Sequence, residues 1–219
     1  MKEKVAVSWS GGKDSAFALY RLIKEDNYII DSLFTTITED VNRISIHGVR
    51  EQLLERQAAS LGYPLRKMYI PLECSNEVYN ERMDSQLLEL KGEEIDTVMF
   101  GDIHLEDVRA YREQLVMKHG IKAIFPLWGS KTADLVTEFC RLNFKTITTC
   151  IDNEKLGPDF LGRTIDANFI KELRPEIDPC GENGEYHTFT YDGPIFADQI
   201  EISIGEYVNK GRFTFVDLY

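Results

Sequence analysis

The chain has 219 residues, 43% hydrophobic and 28% charged, enough for one full α/β core and a smaller appended region. Its 25 Lys and Arg against 37 Asp and Glu give a net charge of −12, which argues against a large nucleic-acid footprint but not against a local basic pocket. No apolar run spans a bilayer, no leader pattern precedes the first strand, and the scattered cysteines lack zinc or disulfide spacing; a cytoplasmic protein is expected.

In chain order, Val5-Ala6-Val7 reads as a strand, followed by a helix with Ala16, Leu19, Tyr20 and Ile23 on one face. Tyr28 to Thr36 reads as a second strand, and Val49, Leu53, Leu54, Ala58 and Leu61 mark a helix that stops near Gly62 and Pro64. Leu65 to Ile70 is a third strand, before a long helix with Val78, Met83, Leu87 and Leu90 inward. Thr97 to Phe100 makes a fourth strand, Glu106 to His119 a helix and Ile121 to Phe125 a fifth strand. Repeated strand-then-helix units predict a doubly wound, five-stranded parallel sheet, with ligands beyond the carboxyl ends of its strands.

The pattern changes after Pro126. A helix near Thr132 to Leu142 and a strand from Lys145 to Ile151 precede a loop-rich stretch containing Gly157-Pro158 and Asp178-Pro179. Two alternating segments follow, Ile200/Ile202/Ile204 and Phe213/Phe215, with Asn209-Lys210-Gly211 as the turn between them. The expected division is residues 1–126, an α/β domain, and residues 127–219, a smaller α+β region. No repeat or low-complexity linker separates the two, so tight packing is expected.

Ser8-Trp9-Ser10-Gly11-Gly12-Lys13-Asp14-Ser15 leaves the first strand and opens the first helix. Glycines let backbone approach an anion, free N–H groups at a helix start point at it, and Ser10, Ser15 and Lys13 add hydroxyls and positive charge. A Walker A loop is excluded, because Val7 stands where it needs glycine and Asp14 where it needs Ser or Thr; the dinucleotide fingerprint is absent as well. The plain alternative is a serine-capped helix start with two flexible glycines.

Ser10-Gly11-Gly12-Lys13-Asp14-Ser15 resembles the SGGxDS signature of the PP-loop ATP pyrophosphatases, whose fold is the HUP-like parallel sheet. The resemblance implies ATP cleavage between the α- and β-phosphates, an adenylated acceptor, pyrophosphate release and use of Mg²⁺. It implies that Ser10, Gly11, Gly12, Asp14 and Ser15 contact the pyrophosphate part of ATP, with Ser8, Lys13 and Gly101 counted to the same nucleotide site. Asp178 to Phe189 (DPCGENGEYHTF), Gly101-Asp102-Ile103, Pro126-Leu127-Trp128-Gly129, Leu161-Gly162-Arg163 and Gly193-Pro194-Ile195-Phe196 are similar to segments of the diphthine–ammonia ligase family. In order, they cover essentially the whole chain. The resemblance implies activation of a carboxylate by adenylation, then amidation by ammonium, with release of AMP. The implied acceptor is diphthine, a modified histidine on elongation factor 2. The end at Tyr219, short of further domains implied for larger eukaryotic relatives, reads as a sign of an archaeal or bacterial chain. A PP-loop tRNA-modifying enzyme and a non-catalytic ATP-binding module are the alternatives, and a homo-oligomer stays open.

The candidate catalytic residues are Asp14, Asp102, Glu182, Glu185 and His187, with Asp14 and Asp102 as candidate Mg²⁺ ligands. The candidate acceptor site is His47, Glu182, Glu185, Tyr186, His187 and Thr188, most of it read as a crowded polar loop able to orient substrate or manage ammonium protons. Each has a plain alternative. Asp102 after a strand is a common helix entry, His47-Gly48 an ordinary loop, and Glu185 or Thr188 a turn cap. Arg109, Arg112 and Glu113 fall at helical spacing, as phosphate binders or as a solvated face. Where the family pattern after Gly-Asp-Ile has a small residue and a glutamine, this chain has His104-Leu105-Glu106-Asp107. Cys180 is not expected to act as a nucleophile, since the chain is too short to hold a glutaminase domain as well.

Overall fold

Apolar strands that alternate with one-sided helices must be sandwiched, and the chain builds that sandwich. The computed structural model describes residues 2–44 and 47–219; Met1, Ser45 and Ile46 lie outside the described residues. The first strands are β1 (Glu3–Ser8), β2 (Tyr28–Thr38), β3 (Arg43–Ile44), β4 (Leu65–Ile70), β5 (Thr97–Met99) and β6 (Lys122–Ile124). Between them lie α1 (Lys13–Glu25), α2 (Glu51–Leu61), α3 (Asn76–Gly92) and α4 (Glu106–Met117).

Five of these strands pair in parallel in the order β4-β2-β1-β5-β6. β3 adds two antiparallel residues to the end of β2, too few to carry a period in the sequence. Successive β1 side chains enter opposite cores. Val5 and Val7 join one that includes Leu19 of α1 and Leu54 of α2, while Ala6 joins Leu87 of α3 and Leu115 of α4. Helices therefore cover both faces, as the alternating pattern predicts. Two helix ends show their local causes. Ser75 caps α3 by accepting from Val78 N–H (3.3 Å), and Gly62 ends α2 with a φ of 77°.

The second part consists of α5 (Thr132–Arg141), β7 (Lys145–Asp152), α6 (Ala167–Glu172), β8 (Tyr186–Asp192), β9 (Ile204–Lys210) and β10 (Phe213–Leu218). Its strands form an antiparallel sheet in the order β8-β7-β10-β9. Three sequence expectations are corrected here. The polar loop expected to run through Thr188 ends at Glu185, because Tyr186, His187 and Thr188 pair with β7 as the start of β8. Ile200 and Ile202 precede β9 rather than belong to it; Ile200 instead bonds through its N–H to the Tyr191 carbonyl (2.8 Å). Asn209 and Lys210 are the last residues of β9, so the turn falls at Gly211-Arg212.

The second sheet packs on the α1 and α2 face, and one hydrophobic core runs through both parts. Phe139 and Phe144 stack at 4.5 Å and meet Phe17 of α1 edge-on. A polar seam lies beside that core. Thr190 N–H donates to the Gly11 carbonyl (2.8 Å), and Lys13 N–H donates to Thr188 Oγ1 (3.0 Å). Gln57, fully buried, donates to the carbonyls of Gly11 (2.9 Å) and Thr190 (2.6 Å) and accepts from Trp9 Nε1 (2.9 Å). Removing that amide strands the buried Trp9 N–H and strips both carbonyls of a donor. Gln57→Ala is therefore expected to cost about 3 kcal/mol of stability. Urea unfolding checks this, and a loss below about 1 kcal/mol would show that the seam is dispensable.

Candidate active site

β1 is the point at which the sheet order reverses, with β2 on one side and β5 on the other. Crevices open at such points beyond the carboxyl ends of the strands. The loop after β1 is the glycine-rich segment. Gly11 takes a φ of 75°, and a Cβ on it would lie 2.7 Å from Gln57 Oε1. Gly12 precedes the first turn of α1, where a Cβ would lie 3.0 Å from His47 and 3.1 Å from the Thr188 carbonyl. Gly101, after β5, comes so near the first turn of α1 that a Cβ would sit 3.1 Å from Asp14 and Ser15 backbone atoms. Bare backbone is thus required at three points around one helix start.

Ser8, Ser10, Lys13, Asp14 and Ser15 line a cavity of about 300 Å³ together with His47, Gly101, Asp102, Glu182, Tyr186, His187 and Thr188. Gly11 and Gly12 form the loop behind this wall. Glu185 is not among the lining residues. Its buried carboxylate accepts from Asp178 N–H (3.3 Å) and from Asn183 N–H (3.0 Å), which fastens the 178–185 turn. A second cavity of about 370 Å³ is lined by Phe34, Thr35, Thr36, Ile70, Cys74 and Tyr79, and it shares Ser8, Ser10, His47 and Arg112 with the first. The two are lobes of one cleft. Sequence reading missed the second lobe. Thr35 and Thr36 close an apolar strand beside β1, so their position at its carboxyl end was the available signal.

The Ser10 and Ser15 hydroxyls lie 3.2 Å apart, and Ser15 Oγ donates to the Gly12 carbonyl (3.0 Å). Lys13 is buried, with Nζ 2.8 Å from both Asp14 carboxylate oxygens and 5.4 Å from the Tyr186 ring centre. Burial opposes its charge, but Asp14, with help from Cys180 and Glu182, outweighs that and raises its pKa. Asp14 is itself held above the usual carboxylate range by desolvation in the cleft, reinforced by Asp178 and Asp102 and resisted by Lys13. Asp102 accepts from Arg112 Nε (3.0 Å), whose guanidinium lies over Phe100. Arg109 pairs instead with Glu113 (2.7 Å), the helical-spacing partner the sequence offered.

Glu182 reaches across from the 178–185 turn to accept from Ile103 N–H (2.8 Å), and burial raises its pKa. That turn depends on Gly181, at a φ of 69°, where a Cβ would meet the Tyr186 carbonyl at 2.9 Å. Cys180 is buried, its thiol donates to the Thr132 carbonyl (3.3 Å), and burial pushes its pKa up to about 12, which leaves it no role as a nucleophile.

His47 and His187 come together, with ring centres 4.7 Å apart. Burial lowers the His47 pKa to about 4; burial, with His47 and Lys13 nearby, lowers that of His187 to about 3. His47 Nδ1 lies 3.1 Å from the Thr188 carbonyl, an acceptor only, so Nδ1 carries the proton and Nε2 keeps a free lone pair.

The diphthamide synthase N-terminal domain model matches residues 3–123, and the diphthamide synthase C-terminal domain model matches residues 131–218. The chain belongs to the diphthamide synthase family. This member is 27% identical to the diphthine–ammonia ligase of Rattus norvegicus and 26% identical to that of Homo sapiens, each over 94% of this chain and 85% of the relative. A U34-tRNA thiolase from Methanococcus maripaludis, solved with its [4Fe-4S] cluster, aligns with 64% of this chain and 57% of its own. At 18% identity and a TM-score of 0.37 that likeness carries no argument. Among the described residues of this diphthamide synthase family member, no helix is long and apolar enough to cross a membrane.

The two imidazoles give a pH prediction. The unfolded chain takes up protons on them below about pH 6.5, whereas the folded chain does so only near pH 4 and pH 3. Their stabilising contribution is whole above about pH 6.5 and is lost as pH falls through that window. Asp14 and Glu182, with raised values, act in the opposite sense, so the rings are best read directly. Imidazole ¹⁵N spectra at about pH 5.5 should show both rings neutral; a protonated ring there would contradict the buried pair.

Proposed function

We propose that this chain is an ATP-dependent ligase that forms a carbon–nitrogen bond, adenylating a carboxylate and amidating it with ammonia. The observation that carries this reading is that Ser10, Lys13, Asp14 and Ser15 of the SGGKDS loop line one cleft with Glu182, Tyr186, His187 and Thr188 at the switch point of the sheet. Residues 1–126 would hold the nucleotide, and residues 127–219 would supply the acceptor side. The adenosine part of ATP fits the lobe beside Phe34, Thr35 and Thr36, which leaves the phosphates over Ser10, Ser15 and the start of α1. An acceptor carboxylate then enters the lobe walled by His47, Glu182 and His187.

In the first step the acceptor oxygen attacks the α-phosphorus and pyrophosphate leaves toward the loop, where the Ser10 and Ser15 hydroxyls and Lys13 steady its charge. In the second step ammonia attacks the acyl carbon and AMP leaves. Ammonia must arrive as the free base. Glu182, with its raised pKa, is suited to take the proton shed by ammonium, and His47 Nε2 is suited to orient the nitrogen.

The donor set fits Mg²⁺. Asp14 and Asp102 stand on the wall of the cleft, and burial holds Asp14 above the usual carboxylate range despite its Lys13 partner, an excess that a cation would relieve. Among the described residues no group of three His, Cys, Asp or Glu could hold a metal alone, which suits an ion that arrives largely ligated by phosphates and water. Such an ion would neutralise the phosphate charge that builds as the α–β bond breaks.

The relatives' name supports diphthine as acceptor, and the family resemblance of the sequence suggests that this residue is carried on elongation factor 2. A translation factor as substrate would put the reaction in the cytoplasm, a compartment that suits four free cysteines. The deciding experiment measures AMP and pyrophosphate from ATP, Mg²⁺ and ammonium with a panel of carboxylates that includes diphthine-bearing elongation factor 2. Acceptor-dependent release of both is expected, reduced about 100-fold or more in Asp14→Asn. ADP and phosphate as products, or tight ATP binding without turnover, would sink the adenylation reading.

A further inference from the structure

The second sheet ends on an open edge. β9 pairs with β10 alone, and among the described residues no strand covers its outer side. Proteins normally blunt such edges with proline, a covering segment or unmatched charge. β9 reads Ile204-Gly205-Glu206-Tyr207-Val208-Asn209-Lys210, has no proline, and exposes Tyr207 by 56% and Val208 by 41%. Apolar surface continues beyond it. Val208 and Phe215 share a groove of about 270 Å³ with Val41 and Leu72 of the first part, and Leu72 is 63% exposed. Single exposed apolar side chains are ordinary; a contiguous set beside an unpaired strand edge marks an interaction surface.

The charges on β9 say what fits there. In an antiparallel pairing of β9 with the β9 of a second copy about a twofold axis at Val208, cross-strand partners are symmetric about that residue. Val208 meets Val208, Tyr207 meets Asn209, and Glu206 meets Lys210 twice over. Glu206, Val208 and Lys210 all face the groove, so both ion pairs would flank the valine contact on one face. The strand is self-complementary, which is what an isologous interface requires. Pairing of one short strand falls below the roughly 800 Å² per partner of a standard interface. The adjoining groove, with Val41 and Leu72, supplies apolar surface to close that gap.

We propose that this chain forms a twofold dimer through antiparallel pairing of β9, which joins two four-stranded sheets into one of eight strands. The ion pairs add little affinity, being exposed, but they set the register, because like charges placed opposite each other are destabilising. Sedimentation equilibrium on the full chain tests this over a range of concentrations. The wild type should reach twice the chain mass. Glu206→Lys and Lys210→Glu should each weaken self-association about tenfold or more at low salt, and the double charge swap should restore it. Both side chains are exposed, so circular dichroism should show every variant folded. A wild type that stays monomeric, a dimer indifferent to either single change, or a double swap no better than the singles would overturn the proposal.

Discussion

The order reversal at β1 is the constraint on which the site depends. The chain leaves β1 through α1 toward β2 and β4, then returns through α3 to place β5 on the opposite side. The loops after β1, β2 and β5 consequently diverge over a gap that no helix fills among the described residues. Glycines at 11, 12 and 101 let the first turn of α1 pack closely beside that gap, where Asp14 and Ser15 reach its wall. Nothing about the loop's own sequence would produce a cleft without that topology.

The second sheet changes the chemistry of the cleft as well as its shape. By laying β8 along the phosphate loop, it buries Lys13 and brings His187 beside His47. Withdrawal from water then sets the protonation states. Two imidazoles are held neutral, while Asp14 and Glu182 are pushed toward retaining protons. Carboxylates with raised proton affinity and neutral imidazoles line one cavity. Packing, desolvation and proton affinity thus form one chain of cause.

The parallel sheet was legible because its strands are short apolar runs between helices of clear one-sided pattern, and both features survive in sequence alone. β8 was not legible. Thr188 and Thr190 are buried there because their hydroxyls are bonded to Lys13 N–H and Thr146 Oγ1, so the strand reads as polar loop. The same blind spot explains Glu185. A glutamate in a turn can face a ligand or tie the turn together, and only the positions of Asp178 and Asn183 show that it does the second. Gln57 carried no signal whatever; on a helix face it looks like an ordinary surface residue. By contrast Ser10, Lys13, Asp14 and Ser15 line the cleft as their place between the first strand and first helix suggested, because a contiguous motif keeps its members together whatever packs around it.

One feature of the seam bears on how such proteins drift over evolutionary time. The bond that registers β8 on the phosphate loop runs from the Thr190 amide to the Gly11 carbonyl, main chain to main chain. Any residue other than proline can donate that hydrogen, so this bond asks nothing of the side chain at position 190, whereas the neighbouring ties through Thr188 Oγ1 and Gln57 do depend on side chains. Exchange is expected to be most restricted where bare backbone is needed, at Gly11 beside the Gln57 side chain and at Gly101 beside the backbone of Asp14 and Ser15.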